Sequence, residues 1–574
     1  MRLNVKQPWE DKMNDINWLN VALGFLGGFG LFLFGMEYMG DGLQKAAGSK
    51  MKNLLGVLTN NRLLGVLVGA GVTALIQSSS ATTVMVVGFV NAGLMSLKQA
   101  VGVIMGANIG TTVTAWLVSL GEWTSFLKPS VLAPIGIAIG VIMTMFAKKQ
   151  SVKHIGQIIF GFGALFLGLD MMSDAAKPLS GLEEIKNAFI ILGQNPLLGI
   201  LTGALVTAVI QSSSASVGIL QALATAALVP WDSAIYIILG QNIGTCITAI
   251  LSSIGASKNA KRAAAIHFLF NFLGSILFAI IALIGFKFVA PELGSVSIEV
   301  THISIVHTIF NVLNTVLLFP FASVLVYLAE HIITGNETAE EGELQHLDER
   351  ILETPSFAVE NSVKEVVRMG NIAEQNVKVA IEALFEKDEK KIQEVFEREK
   401  IINQLQHGIN HYLVKLSNIS LSEAENTEIT GLFHTVSDIE RVGDHAENIA
   451  ELAQSLMEKD LAFSQTAIDE LKEITDTAIK CFELSLQAYE FGDKASAKNA
   501  LPLEERVDAM EAKLRSRHMK RLADNTCDSL AGIVFLDTIS NIERISDHAA
   551  NIAQTILDEN KSLSNEEMTV HPTA

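Results

Sequence analysis

The chain contains few cysteines, three among 574 residues. Cys246, Cys481 and Cys527 lie far apart and show neither the paired spacing of a metal site nor the density of a disulfide framework. We therefore expect neither a disulfide-held fold nor a thiolate metal site. A removable signal peptide is not expected either, because the residues before Trp18 are polar and no small-residue cleavage site follows the first apolar stretch.

Basic residues are scarce in the second part of the chain. Residues 1–335 hold 18 basic and 14 acidic side chains, a formal charge of about +4. Residues 336–574 hold the remaining 24 basic and 47 acidic side chains, a charge of about −23. Because nucleic acid is bound by basic surfaces, we expect no nucleic acid partner. No nucleophile–base pair or nucleotide-binding loop is evident in the sequence, and we do not expect an enzyme.

Charge is also missing from long stretches of the first part, in a chain that is 49% hydrophobic. A helix that crosses a bilayer needs about 17 to 25 mostly apolar residues. Seven stretches meet this requirement and are predicted to be membrane spans: 17–40, 97–120, 130–147, 155–173, 231–254, 263–288 and 302–330.

Two further apolar stretches, 62–93 and 196–228, are interrupted in the middle by Gln-Ser-Ser-Ser. Irregular backbone is tolerated at membrane depth only where protein or a polar cavity surrounds it, so we interpret both as re-entrant hairpins. With the N-terminus outside, most basic loop residues lie on the inner side, as the positive-inside rule requires. The protein is then predicted to lie in the cytoplasmic (inner) membrane, with its acidic second part in the cytoplasm.

An internal repeat is the strongest pattern in the sequence. The segment Gly69–Ala81 recurs as Gly203–Ala215, a shift of 134 residues, and an Asn-Ile-Gly-Thr motif recurs at the same shift. Three predicted spans separate the two copies, so the copies should have opposite orientations, which is the inverted-repeat plan of secondary transporters. The predicted segments are a tail at 1–16, membrane repeats at 17–150 and 151–334, an acidic linker at 335–354, a helical domain at 355–560 and a tail at 561–574.

The repeated polar segments have the chemistry of an anion site. A break in a helix exposes backbone N–H groups at the start of the next helix, where those donors and the helix dipole attract anions. Serine hydroxyls at the break can rotate to donate to a tetrahedral oxyanion such as phosphate. Packing of small residues between membrane helices is the alternative explanation. The predicted oxyanion ligands are Gln77, Ser78, Ser79, Ser80, Gln211, Ser212, Ser213 and Ser214.

Mobile cations must balance a divalent oxyanion here, because no Lys or Arg lies deep in the spans near these motifs. Hard cations such as sodium prefer oxygen ligands. This argument does not choose sodium over protons. The predicted cation ligands are Thr73, Thr82, Thr83, Asn108, Thr111, Thr112, Thr207, Ser216, Asn242 and Thr245.

Glu37 and Asp170 are acidic side chains inside predicted spans, at equivalent positions of the two repeats. Carboxylates within a membrane commonly mark cation or proton sites, so both are predicted coupling carboxylates. A position near the lipid headgroups is the alternative. Two His–Asn pairs, each four residues apart, are expected to form interhelical hydrogen bonds in preference to substrate contacts: His267 with Asn271, and His307 with Asn311.

The second part of the chain is a long amphipathic helical pattern that is also duplicated. The motif Glu-Arg-x-x-Asp-His-Ala-x-Asn-Ile-Ala begins at Glu440 and again at Glu543, a shift of 103 residues. Its Glu, Asp and Asn recur every four residues and form one polar stripe on a helix. Such all-oxygen stripes suit hard or borderline cations such as Mg, Mn or Fe, and a solvated face is the alternative. The predicted ligands on the two stripes are Glu440, Asp444, Asn448, Glu543, Asp547 and Asn551.

These motifs resemble two known families. Over about residues 15–330, the paired Gln-Ser-Ser-Ser and Asn-Ile-Gly-Thr motifs are similar to those of the type II sodium/phosphate cotransporters. Over about 355–560, the tandem motifs are similar to a PhoU-type regulatory domain of two three-helix bundles. The first resemblance implies sodium-coupled phosphate movement, with phosphate held by residues 77–80 and 211–214. The second implies phosphate-linked regulation and multinuclear iron or zinc sites.

The PhoU resemblance also adds metal ligands from a second helix of each bundle. Glu399 in the first bundle corresponds to Glu504 in the second, where Asp508 follows four residues later. Asn403 stands where the second bundle has Asp508, so the first bundle departs from the expected metal cluster.

We therefore predict an all-α chain with a polytopic membrane domain of two inverted repeats with re-entrant hairpins, and cytoplasmic tandem three-helix bundles. The predicted function is sodium-coupled secondary transport of inorganic phosphate by alternating access, regulated by the cytoplasmic domain. The alternative is a membrane-anchored phosphate sensor without net transport. Phosphate, sodium and the lipid bilayer are the predicted partners. The sequence leaves open a homodimer, a regulatory protein on the cytoplasmic domain, and which of Fe, Zn, Mn or Mg that domain binds.

Overall fold

The computed structural model describes residues 16–47, 61–123, 129–335, 342–419, 421, 423–524 and 527–569. Their regular structure is helical, with one isolated bridge between Pro230 and Ser297 and no strand in these ranges. The chain divides between residues 337 and 338 into two compact units. The predicted all-α class is confirmed. Residues 1–15 and 570–574 of the two predicted tails lie outside the described ranges.

The first unit, called the membrane unit below, contains helices α1 to α14, with a π-helical turn at Gly285–Val289 and a four-residue helix at Pro291–Gly294 between α12 and α13. A 3₁₀ turn follows α6 at Lys177–Gly181, and a second joins α13 to α14 at Phe319–Phe321. The helices are α1 Trp18–Ala47, α2 Arg62–Ile76, α3 Ser79–Asn91, α4 Leu97–Trp123, α5 Pro129–Phe146, α6 Gln150–Ala176, α7 Glu183–Gln194, α8 Pro196–Ile210, α9 Ser213–Thr225, α10 Trp231–Gly244, α11 Cys246–Ser252, α12 Lys258–Ile284, α13 Val300–Leu318 and α14 Ala322–Ile332.

Six helical stretches in the described part of the chain are long and apolar enough to cross a membrane. They coincide with six of the seven predicted spans. The seventh, 130–147, coincides with α5, whose described apolar stretch Ala133–Phe146 is shorter, and Pro134 lies inside that helix. The interrupted stretches 62–93 and 196–228 are each two helices with a break, α2–α3 and α8–α9.

Helix α7 was not predicted as a separate element. It precedes α8 with only Asn195 between them, and the two helix axes differ in direction by 109°. The Asn195 side chain accepts a hydrogen bond from the N–H of Leu198, and Pro196 occupies the first position of α8. An N-cap followed by proline is a strong helix start, so the chain turns here.

Helices α1 and α6 pack closely through glycines. A Cβ on Gly28 would clash with the backbone oxygen of Gly168, and a Cβ on Gly161 would clash with that of Gly35. Gly28 faces Gly168 and Gly35 faces Gly161. Residue numbers therefore rise along α1 in the direction in which they fall along α6. The two helices are therefore antiparallel. Small residues allow such close approach between membrane helices.

Helix α2 packs on α4 in the same way that α8 packs on α10. In each pair, glycines have backbone atoms of the partner helix less than 3.0 Å from where their Cβ atoms would lie. Four of these contacts form two pairs that are related by the shift of 134 residues. The close pairs are Gly69 with Val103, Gly106 with Val66, Gly203 with Ile237 and Gly240 with Ile200.

The second unit, called the bundle unit below, contains two three-helix bundles. Helices α15 to α17 form the first bundle and α18 to α20 the second, and α17 packs on α20. Residues 342–354 of the predicted linker lie against the first bundle and end in a 3₁₀ turn, Glu349–Glu353. The helices are α15 Pro355–Glu386, α16 Glu389–Ser417, α17 Glu423–Glu458, α18 Gln465–Phe491, α19 Lys494–Ala523 and α20 Ser529–Thr569.

The contact between α2 and α4 can be tested with a matched pair of substitutions. Gly106→Ala places a Cβ against the backbone oxygen of Val66, and we expect it to destabilise the protein by about 1–3 kcal/mol. Gly71→Ala, in α2, meets nothing within 4 Å, and the better helix propensity of alanine should leave stability unchanged or slightly higher. Thermal unfolding of the detergent-solubilised variants would measure both, and equal melting temperatures would contradict the close packing.

Candidate functional site

Each hairpin breaks at a glutamine with a left-handed backbone. Gln77 ends α2 and Gln211 ends α8, both with φ 59° and ψ 21°. Their N–H groups donate to the backbone oxygens of Thr73 and Thr207. A residue with a side chain rarely adopts this conformation, and such outliers cluster at functional sites. The same outlier in both copies of the repeat therefore favours a functional role for the two breaks.

The serine after each break caps the next helix. The Ser78 hydroxyl accepts a hydrogen bond from the N–H of Ala81 at 3.1 Å, and the Ser212 hydroxyl accepts one from the N–H of Ala215 at 3.2 Å. Ser78 and Ser212 are thus the N-caps of α3 and α9. Both helices begin at the break, so their first-turn N–H groups point toward it.

The two breaks lie against each other. The hydroxyl oxygens of Ser79 and Ser213, which are 134 residues apart, are separated by 3.4 Å. The Ser80 hydroxyl donates to the backbone oxygen of Gln211 at 3.1 Å. Ser79 is 7% exposed and Ser213 is 4% exposed. The structure therefore brings predicted oxyanion ligands of both repeats together around the buried Ser79 and Ser213, in what is called the hairpin-tip cluster below.

Thr114 connects the two hairpins and was missed in the sequence. Its hydroxyl donates to Oε1 of Gln77 at 3.0 Å and lies 3.2 Å from the hydroxyl of Ser214, which donates to it. The corresponding residue of the second repeat is Thr248 at the 134-residue shift, and its buried hydroxyl has no hydrogen-bond partner among the described residues. Extending the Asn-Ile-Gly-Thr match by three residues would have found this pair.

The two glutamines differ in exposure although their backbones match. Gln77 is 6% exposed, and its amide nitrogen donates to the backbone oxygen of Ala74. Gln211 is exposed. Gln77 is therefore bonded within the protein in this conformation, whereas Gln211 is open to the surroundings.

The predicted cation ligands of the first hairpin are bonded to one another. The Thr73 hydroxyl donates to the Thr82 hydroxyl at 3.0 Å, and the latter donates to the backbone oxygen of Ser78. The Thr83 hydroxyl donates to the backbone oxygen of Ser80 at 3.1 Å. These bonds stabilise the tip of the hairpin.

The predicted cation ligands of α4 and α10 bond mainly to their own helices. The side-chain nitrogens of Asn108 and Asn242 each donate to the backbone oxygen four residues earlier, both at 2.8 Å. The hydroxyls of Thr111 and Thr112 also donate to backbone oxygens of α4. The equivalent amides of the two repeats therefore have the same local hydrogen bonds.

Two predicted cation ligands have oxygen atoms without a partner. The buried hydroxyls of Thr207 and Thr245 have no hydrogen-bond partner in the part of the chain that the structure describes. Ser216, by contrast, accepts a hydrogen bond from the side chain of Gln241 at 2.9 Å. An unpartnered buried oxygen costs free energy, so Thr207 and Thr245 are the stronger candidates for an ion or water contact.

The two predicted coupling carboxylates lie on the antiparallel helices α1 and α6. Glu37 is exposed and Asp170 is half-buried. Within the described ranges, no hydrogen bond or ion pair joins either side chain to the hairpin-tip cluster. Their proposed role in coupling therefore depends on their equivalent positions in the repeats.

The two predicted His–Asn pairs form fewer contacts between helices than expected. Both ring nitrogens of His267 and of His307 are buried and lack a hydrogen-bond partner among the described residues. The Asn271 side chain donates to Sγ of Cys246 at 3.4 Å, while that of Asn311 donates to its own helix. Only the first asparagine therefore bonds to another helix.

In the bundle unit, the second bundle gathers three carboxylates. Oxygens of Glu504, Asp508 and Asp547 all lie within 4.8 Å of one another. Burial, followed by the charges of Asp508 and Asp547, raises the pKa of Glu504. Burial, followed by the charges of Asp547 and Asp508, also raises the pKa of Glu543. This donor set of oxygens fits a hard or borderline cation, which would relieve the repulsion.

The first bundle has a more deeply buried carboxylate. Glu399 is 2% exposed, and neither of its carboxylate oxygens has a hydrogen-bond partner in the described ranges. Burial, followed by the charges of Asp444, Glu447 and Glu440, raises the pKa of Glu399 to about 8. Glu447 has no acidic counterpart in the second bundle, where Ala550 occupies its position. The two bundles therefore distribute their acidic groups differently.

The two predicted asparagine ligands bond across the interface between the bundles. Asn448 donates to Oδ1 of Asn541, and Asn551 donates to Oδ1 of Asp438, both at 3.3 Å. The neighbouring histidines bond to the same two partners, His445 to Asn541 and His548 to Asp438. The two imidazole rings stack with centroids 5.8 Å apart. Asn448 and Asn551 thus connect α17 to α20 in this structure.

The chain matches two family models. The model described as "Na+/Pi-cotransporter" matches residues 31–174 and 178–295. The model described as "PhoU domain" matches residues 366–453 and 471–556. Both hairpins fall within the first match, and both carboxylate clusters fall within the second.

Individual relatives agree with these matches. YjbB of Escherichia coli (strain K12), named as a proposed inorganic phosphate export protein, is 25% identical over 94% of this chain and 97% of its own length. The uncharacterized protein YqeW of Bacillus subtilis (strain 168) is 30% identical over 53% of this chain and 94% of its own. Sodium-dependent phosphate transport protein 2A of Ovis aries is 30% identical over 22% of each chain.

The raised pKa of Glu399 predicts a pH dependence of the first bundle. A carboxyl whose folded pKa lies near 8, above an unfolded value of about 4.3, binds its proton more tightly in the folded state. Stability from this group is therefore fully present at low pH and is lost as pH rises from about 5 through 8. With metal chelated at pH 8.5, we expect the amide hydrogens of α16 and α17 to exchange faster in the wild-type protein than in Glu399→Gln.

At pH 5.5 the difference between the same two proteins should be much smaller, because Glu399 of the folded protein is then protonated and resembles glutamine. Glu394→Gln, on the exposed face of α16, is the control and should leave the pH dependence unchanged. A difference between wild type and Glu399→Gln that is as large at pH 5.5 as at pH 8.5 would contradict the raised pKa.

Proposed function

Because the chain belongs to the Na+/Pi-cotransporter family and contains a PhoU domain, we propose that it transports inorganic phosphate across the cytoplasmic membrane, coupled to sodium, by alternating access. The observation that supports this most directly is the contact of Ser79 with Ser213 at the hairpin-tip cluster. Equivalent residues of both repeats meet there, at the starts of two helices.

The hairpin-tip cluster has the donors that a tetrahedral anion such as phosphate requires. Two helix N-termini and the hydroxyls of Ser79, Ser80, Ser213 and Ser214 supply donors, and donors around a tetrahedral anion must come from several directions. In this conformation the serine hydroxyls contact each other. We propose that phosphate enters between them and replaces these contacts with hydrogen bonds to its own oxygens.

Coupling to a cation follows from the charge balance of the site. A divalent anion in a medium of low dielectric constant needs compensating positive charge, and the sequence provides no Lys or Arg deep in the spans near the hairpins. The unpartnered oxygens of Thr207 and Thr245 offer ligands for a cation. The name of the relative from Ovis aries and the description of the family model agree with sodium as that ion.

Alternating access is supported by how the repeats pack. The equivalent helices α1 and α6 are antiparallel, as two repeats of opposite orientation require. Gln77 is buried and Gln211 is exposed, so the equivalent side chains of the two repeats have different environments in the same conformation. We propose that the other state exchanges these environments, exposing Gln77 and burying Gln211. The imposed gradients then set the direction, which allows export as in the name of YjbB.

Transport can be tested in proteoliposomes. We expect Ser79→Ala and Ser213→Ala each to lower sodium-driven phosphate flux about tenfold at low phosphate concentration, because each removes a hydrogen bond to a charged ligand. Ser180→Ala, in an exposed 3₁₀ turn, is the control and should transport like wild type. Equal flux with and without a sodium gradient would exclude sodium coupling.

The same experiment separates transport from sensing. A membrane-anchored sensor would bind phosphate without any net flux in wild type or variants. Absence of flux in either direction, with wild-type protein that still binds phosphate, would therefore replace the transport proposal with the sensor.

We also propose that the second bundle binds a divalent metal through Glu504, Asp508 and Asp547. Asp508→Asn should weaken Mn²⁺ binding by roughly tenfold or more, because the charge of the ligands sets the affinity of hard cations. Asp476→Asn, an exposed change on α18, makes the same charge change away from the cluster. Isothermal titration of both variants would measure the effect, and equal affinities would exclude Asp508 as a ligand.

A further inference from the structure

Residues 342–354, called the docked segment below, are fixed to the first bundle by a buried carboxylate. Glu365 of α15 is 0% exposed and accepts hydrogen bonds from the backbone N–H groups of Gln345 and His346, the latter at 2.7 Å. Arg368, one turn further on, bonds to the same carboxylate and donates to the backbone oxygen of Glu343 at 2.9 Å. The segment is therefore part of the folded unit.

The second half of the docked segment is fixed by Asp348. Its side chain accepts from the N–H of Arg350 at 2.8 Å and forms an ion pair with the guanidinium of Arg350 at 2.6 Å. The Tyr412 hydroxyl of α16 donates to the backbone oxygen of Asp348 at 3.3 Å. Ile351 is fully buried. These contacts hold the docked segment in a defined position.

A cleft of about 500 Å³ lies between the docked segment and α16. Its volume is within the range of small-molecule sites. Leu344, Leu347 and the ring of Tyr412 supply an apolar surface, while Glu349, Arg350 and Lys415 supply charge. The docked segment precedes residue 366, where the match to the PhoU domain begins, so one wall of the cleft lies outside that match.

The charged side of the cleft already holds two carboxylates of the protein, Asp348, which pairs with Arg350, and Glu349. Lys415 bonds to the carboxylate of Glu349, whose side chain is 69% exposed. The hydrogen bond from Lys415 is the largest cause that lowers the pKa of Glu349, and the charges of Lys415, His411 and Arg350 lower it further. Three basic side chains thus act on a single exposed carboxylate.

We propose that this cleft binds a small organic phosphate, such as a nucleotide, whose phosphate replaces the carboxylate of Glu349 at Lys415 and His411. A phosphate has more charge and more acceptor oxygens than a carboxylate, so it competes well for several basic groups. The apolar side provided by Leu344, Leu347 and Tyr412 accommodates the organic part. Inorganic phosphate alone leaves this side unfilled.

A ligand in this cleft would bind close in sequence to the connection between the two units. The docked segment begins five residues after Glu337, the last residue of the membrane unit. Displacing Glu349 changes the contacts of the segment with α16. This inference goes beyond transport itself, because ligand binding to the cleft does not depend on phosphate flux.

The proposal is tested by titrating the full-length protein in detergent with ATP, in the presence of EDTA so that metal at the carboxylate cluster does not contribute. Lys415→Gln should weaken binding about tenfold, as expected for the loss of one charge-assisted hydrogen bond. Glu349→Gln should tighten binding by roughly three- to tenfold, because it removes the competing charge. Lys400→Gln, an exposed lysine on the same helix, is the matched control and should bind like wild type.

Opposite effects of Lys415→Gln and Glu349→Gln distinguish a site from a loss of folding, since damage to the fold would weaken binding in both. Photolabelling with 8-azido-ATP should mark peptides from 342–354 or from α16. Inorganic phosphate, titrated against the double variant Ser79→Ala/Ser213→Ala, should bind at least about 100-fold more weakly than ATP. No saturable ATP binding, labelling elsewhere only, or weaker binding by Glu349→Gln would overturn the proposal.

Discussion

The membrane unit depends on one contact, that between the starts of α3 and α9. Each start exists because a glutamine takes a left-handed backbone and the following serine caps the next helix. In lipid, such a break would leave backbone groups without partners, so it can exist only where protein encloses it. The two breaks enclose each other at Ser79 and Ser213, and Thr114 completes the enclosure by bonding to both hairpins.

The glycines set how closely the surrounding helices approach this contact. On both sides, the first helix of a hairpin lies against the backbone of the long helix that follows, without side chains between them. This brings α4 near enough for Thr114 to reach Gln77. Tight packing of the scaffold and strain at the tips are therefore linked, because the packed helices hold the tips in a conformation that glutamine does not prefer.

Much of this arrangement could be predicted from the sequence, for identifiable reasons. The Gln-Ser-Ser-Ser segments predicted the helix breaks because lipid penalises polar interruptions, and the 134-residue repeat predicted that the two tips act together. The conformation of Gln77 could not be predicted, since its intrinsic preference opposes it. Nor could the different exposure of Gln77 and Gln211, because near-identical sequences cannot specify which half is buried in a given state.

The bundle unit shows the same limits to what the sequence predicts. The acidic stripes predicted where carboxylates gather, but not that Asn448 and Asn551 would bond across the two bundles. The composition of 335–354 predicted a linker, yet part of it is fixed by Glu365, a side chain on a neighbouring helix. Contacts of this kind depend on the three-dimensional fold and leave no local pattern in the sequence.

The separation of Ser79 and Ser213 by one repeat length has a geometric consequence. Two equivalent atoms can touch only on the axis that relates the two copies, just as two identical subunits share a residue pair only along their dyad. A ligand bound between Ser79 and Ser213 would therefore meet the same chemical group from each copy of the repeat.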